Sequence, residues 1–168
     1  MDIYYSNITV DTLVVSYYDN STLTVDALNY YKKVLRFMEN DKLDLYKLNI
    51  KCIAPSKNNS DLNNISLVLK VEVFNKKFLF MGDFENEETL INKDINCDIL
   101  KVGHHGASKA FSKEFMEKAS PKVCVISCGA YNKYKHPHKI WLDYFKENKI
   151  KYHITYIDKT YTYSSYIP

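Results

Sequence analysis

Glycine occurs only 4 times in this chain of 168 residues, as Gly82, Gly103, Gly106 and Gly129, and each follows or ends an apolar run with strand character. Glycine at a strand end permits backbone angles and close approaches that other residues resist. In a glycine-poor chain that placement singles out the strand ends, which is where layered α/β folds hold their functional groups.

The pattern between the glycines alternates strands with helices. Residues 66–74 and 77–81 read as two strands joined by a hairpin turn at Asn75-Lys76. Further strands are expected over 48–54, 99–102, 122–127 and 152–157, and helices over 85–92, 112–119 and 138–148. Near the N-terminus, Val25, Leu28, Val34, Leu35 and Met38 recur at helical spacing, with Thr24 or Asp26 placed to cap the start. Such alternation argues for an α/β layered domain. No repeat, proline-rich linker or long charge block interrupts it.

Composition excludes several classes. With 46% hydrophobic and 26% charged residues the chain is globular rather than disordered. The net charge of +3 is mild and rests on lysine, because Arg36 is the only arginine; a dedicated nucleic-acid footprint is usually richer in arginine and more basic. No apolar run approaches the roughly 20 residues that span a bilayer. The start, Met1-Asp2-Ile3-Tyr4-Tyr5, has no basic flank or apolar core of a signal peptide, so a cytoplasmic chain is expected. Cys52, Cys97, Cys124 and Cys128 form no C-x-x-C pair and read as structural thiols.

Two strand ends carry metal-competent side chains. Phe80-Met81-Gly82-Asp83 places a carboxylate just past an apolar strand, and Lys101-Val102-Gly103-His104-His105-Gly106 places two imidazoles past the next. A carboxylate and an imidazole on adjacent strand ends can converge on one ion, and zinc or manganese accepts such mixed ligands. The plainer reading of Asp83 is a cap for the 85–92 helix, and of the histidines a structural pair.

In order along the chain, Asn64-Ile65-Ser66-Leu67-Val68-Leu69-Lys70, Phe78 to Asp83, Asp98 to Gly106, Pro121 to Gly129 and His136-Pro137 resemble the metallo-β-lactamase superfamily, most of all the ComEC-like branch of competence hydrolase domains. The resemblance implies a four-layer αββα sandwich, of which this chain would be the C-terminal half. It implies two divalent metal ions, zinc or manganese, in the full domain. Asp83 would bridge them, one of His104 and His105 would be a ligand and the other would lie near the substrate. His136 would contact substrate phosphate, and Asn64 and Ser66 would lie beside the pocket. The implied activity is phosphodiester hydrolysis, on DNA or a related substrate.

The departure from the family is large. Its main metal motif, His-x-His-x-Asp-His, is absent, and all 5 histidines (His104, His105, His136, His138 and His153) fall in the second half. The chain is therefore expected to begin after that motif. Three outcomes stay open: a split hydrolase completed by a missing N-terminal half, a degenerate remnant, or a binding module that pairs as a homo-oligomer through an uncovered sheet face.

Overall fold

The chain is described here from a computed structural model, over residues 9–164. Its centre is a seven-stranded sheet in the order β3 (Lys42–Leu45), β4 (Leu48–Ala54), β5 (Val68–Val73), β6 (Lys76–Phe80), β7 (Ile99–Lys101), β8 (Val123–Ile126) and β9 (Lys151–Ile154). From β3 to β6 neighbours are antiparallel; from β6 to β9 they are parallel. The change of direction follows from the connections. Two-residue turns link β3 to β4 and β5 to β6, and a loop over residues 55–67 links β4 to β5, whereas the parallel strands need crossovers, supplied by residues 81–98, by α2 (Lys113–Ala119) and by α3 (Lys139–Glu147).

Register and burial define two unlike faces. Leu79, Leu100 and Cys124 lie side by side and are fully buried, covered by Phe115 and Met116 of α2 and by Trp141 and Phe145 of α3. On the other face, Phe78 aligns with Ile99 and Val123, and Phe80 with Lys101 and Val125. That face continues through Leu69, Val71 and Val73 of β5, which remain half-buried. Phe80 is 43% exposed. Among the described residues, the segment around Lys159, Thr160, Tyr161 and Tyr163 reaches over it, closing a cavity of about 590 Å³ against Phe78, Ile99 and Val125. The three fully enclosed thiols behave as expected: burial pushes Cys52 and Cys97 up to about 12, and Cys124 upward as well.

The N-terminal part differs from expectation. The helix α1 (Thr22–Tyr30) stops at an extended Tyr31, and Val34 to Phe37 form strand β2 (Val34–Phe37), parallel to β1 (Leu13–Ser16). Val34, Leu35 and Met38 therefore do not continue the helix. The pair joins the sheet through the segment after β2, where Asn40 N–H donates to the Cys52 carbonyl and Cys52 N–H to the Asp41 carbonyl. Elsewhere the differences are small. The β5–β6 turn falls on Phe74-Asn75, both left-handed (φ 48° and 60°). The expected 85–92 helix is a single 3-10 turn at Glu87–Leu90, and the chain after Ile154 coils into α4 (Thr155–Asp158).

Candidate functional site

The parallel arrangement brings the carboxyl ends of β6, β7 and β8 together. At the β6 end, Gly82 is left-handed (φ +56°), and its carbonyl accepts from the His104 amide at 3.0 Å. This bond ties the Asp83 turn to the histidine turn. His104 and His105 are themselves left-handed (φ 39° and 54°). Two successive non-glycine residues in that region cost about 1–3 kcal/mol each and persist only where surroundings enforce them. Enforcement comes from Gly106, where an added Cβ would stand 2.7 Å from Pro137 Cβ, and from the His138 amide, which donates to the Gly106 carbonyl.

Hydrogen bonds assign the tautomers. His105 Nδ1 contacts the Ser127 carbonyl, an acceptor only, so Nδ1 carries the proton. The bare Nε2 then faces Asp83 Oδ1 at 3.5 Å, and two acceptors meet with no proton between them in the neutral state. His104 Nδ1 meets the buried Glu85 carboxylate at 2.7 Å, so in the neutral tautomer the proton sits on Nδ1 and Nε2 is the free acceptor. A carboxylate holding the far nitrogen of a histidine is the arrangement that orients metal-ligating imidazoles. His136 closes the group, its ring 5.5 Å from His104 and 6.3 Å from His105 by centroids. Burial holds its pKa below the usual histidine range, and the neighbouring His138, His104 and His105 add to that.

Other residues brought to this end have supporting contacts. Ser66 Oγ accepts from the Asp83 amide and Asn64 Oδ1 from the Glu85 amide, so both hold the carboxylate turn in place. The plainer reading of Asp83 as a helix cap does not apply, since Asn86 precedes the 3-10 turn. His138 accepts from Ser108 N–H and directs Nε2 toward the Tyr134 carbonyl. His153 lies away from the site, bonded to the Lys159 carbonyl. Sequence reasoning missed Glu85 as the partner of His104; its only signal was a carboxylate two residues beyond Asp83.

The residues do not fit a complete dinuclear centre. A catalytic zinc normally takes three protein ligands and keeps one open position. Among the described residues no group of three or more His, Cys, Asp or Glu side chains is arranged to hold an ion. Asp83 and His105 form a cation-competent pair and no more.

The chain is 34% identical over 116 residues to ComE operon protein 3 of Bacillus subtilis (strain 168), a match covering 66% of this chain and 15% of that protein. It is 36% identical over 91 residues to competence protein ComA of Neisseria gonorrhoeae, covering 51% of this chain and 13% of that one. Among solved structures, it superposes on a hydrolase assigned to the metallo-β-lactamase superfamily from Thermotoga maritima with TM-score 0.51 and 17% identity, covering 84% of this chain and 70% of that one. This is a ComEC-like chain with the metallo-β-lactamase fold. A protein from Parabacteroides distasonis assigned as a metal-dependent hydrolase gives TM-score 0.55 at 11% identity, covering 86% of the ComEC-like chain and 75% of its own. No family model matches. The ComEC-like chain thus spans only a small part of the competence proteins it resembles. No helix among its described residues is long and apolar enough to cross a membrane.

Proposed function

We propose that this ComEC-like chain carries the phosphodiester-facing part of a metal-dependent hydrolase site, and that it engages a phosphodiester strand such as DNA without turning it over alone. The Asp83–His105 pair carries this reading. Two oriented acceptors 3.5 Å apart repel unless a proton or cation lies between them, so the pair is built to share a positive charge. His104 and His136 stand beside it, where a phosphate held by that charge would lie. In the full domain two divalent ions, zinc or manganese, would supply the charge and the hydroxide nucleophile. The half-buried apolar face of β5 and β6 is the surface on which a further sheet, from an N-terminal half or a second copy, would pack.

Binding of a labelled single-stranded oligonucleotide in manganese tests this. Anisotropy should report binding that chelator weakens, and His104→Ala or His105→Ala should each weaken it roughly tenfold, the scale of one charge-assisted contact. Equal binding by the wild-type chain and both variants would sink the reading.

A further inference from the structure

The β1–α1 turn, residues 17–21, faces the Asp83 strand end. Val15, Ser16, Asp19 and Ser21 line one cavity of about 570 Å³ together with Ser66, Gly82 and Asp83. β1 thus delivers its carboxyl end to the same cavity as β6. In a dinuclear site that end must supply the ligands that Asp83 and His105 lack.

We infer that this turn stands in the position of the missing His-x-His-x-Asp-His motif, and that its residues have exchanged metal ligation for helix capping. The inference rests on the reading of the Asp83–His105 pair as a cation-sharing pair. Position agrees: the five residues Tyr17-Tyr18-Asp19-Asn20-Ser21 join β1 to α1, and with Thr22, the first residue of the helix, they match the six positions of the motif. Coverage agrees as well. The superpositions on complete hydrolases take in 84% and 86% of this chain, more than the stretch from Lys51 onward makes up. On this reading the position of the motif lies inside the chain rather than before it.

The chemistry of the turn explains why it would no longer bind metal. Asp19 Oδ1 accepts from the Ser21 amide at 2.9 Å and Oδ2 from the Thr24 hydroxyl at 2.7 Å. Each oxygen thus takes one hydrogen bond that orients the carboxylate toward the start of α1, where the Ser21 hydroxyl also accepts from the Thr24 amide, while Tyr17, Ser21 and Thr22 bring no imidazole or carboxylate to the motif positions. Arg36 fixes the turn from behind: Nη2 donates to the Asp19 carbonyl and to Asn20 Oδ1, and the guanidinium lies 5.8 Å from the Tyr17 ring. A turn closed in this way fills the place that a motif supplied by another chain would need.

Restoring the ligands tests the inference. In the full chain, Tyr17→His, Asp19→His, Ser21→Asp and Thr22→His together should raise zinc affinity by about a hundredfold or more over wild type, read by calorimetry and, with cobalt in place of zinc, by the d–d absorption of a nitrogen–oxygen site. Adding Asp83→Ala should remove most of the gain. Because the four substitutions also remove the α1 cap, a second variant carries only Tyr17→His and Thr22→His, both at exposed positions, and should gain a smaller, Asp83-dependent affinity. Folded variants with no gain, or a gain indifferent to Asp83→Ala, would overturn the inference. Oligonucleotide binding by the unaltered chain does not depend on this outcome, so the two readings fail separately.

Discussion

Trp141→Ala should cost the fold about 3–5 kcal/mol, the range for removing a fully buried large aromatic side chain. Trp141 is wholly enclosed and packs edge-on against Phe111, with ring centroids 5.1 Å apart. Its indole N–H donates to the Ala107 carbonyl at 2.9 Å. The substitution therefore opens a cavity and removes one of two hydrogen bonds to the Ala107 carbonyl, which keeps the Ala110 amide as a donor. Against a typical stability of roughly 5–15 kcal/mol, much of the margin disappears. Ala107 directly follows the His104-His105-Gly106 turn, so the loss falls on the segment that holds the imidazoles. Urea unfolding followed by far-ultraviolet circular dichroism gives the value; intrinsic fluorescence is unsuitable, because Trp141 is the only tryptophan. Trp141→Phe, which keeps most of the packing and loses the hydrogen bond, should cost far less. Equal losses for the two variants would contradict this assignment.

The second large effect concerns pH. Glu87 is 1% exposed, and its carboxylate oxygens have no hydrogen bond of ordinary geometry, only a weak approach to the Ser112 backbone. Burial raises its pKa well above the ordinary glutamate range; the Ser112 backbone offsets this in part, and Glu88 adds to it. The folded chain thus keeps a proton that the unfolded chain releases. The stability carried by that proton is complete below the unfolded pKa, near 4.3, and is lost as pH rises toward the folded value. Within that window the loss approaches about 1.4 kcal/mol per pH unit. Glu87→Gln keeps the shape and removes the titration. It should gain on wild type in stability as pH rises above the unfolded pKa, by denaturant unfolding at several pH values. Parallel stability curves for the two proteins would show that Glu87 is ionised or solvated in the folded state.

How much of this was legible in the sequence depended on whether the deciding contacts were local. The β5–β6 hairpin was legible from alternation, and its turn was misplaced by one residue because Phe74 takes the left-handed conformation despite its bulk. The meeting of Asp83 with the histidine pair followed from glycines at two strand ends, and the parallel pairing of β6 with β7 realises it. β2 was not legible. Its four residues Val34-Leu35-Arg36-Phe37 fall on helical spacing from α1, no glycine or proline marks the break, and only the parallel partner β1 decides for strand. Glu85 and Arg36 were equally hidden, because each acts through a partner distant in sequence: His104, 19 residues away, and Asp19, 17 residues away.

The most direct test is turnover of a generic phosphodiester by the purified, unaltered chain with manganese in excess. On the proposed reading, in which Asp83 and His105 supply only part of the metal ligands, the chain should give no rate above the metal-only control. Hydrolysis that is lost on Asp83→Ala and on His105→Ala would contradict that, and would mean that these residues complete a working centre without the missing motif.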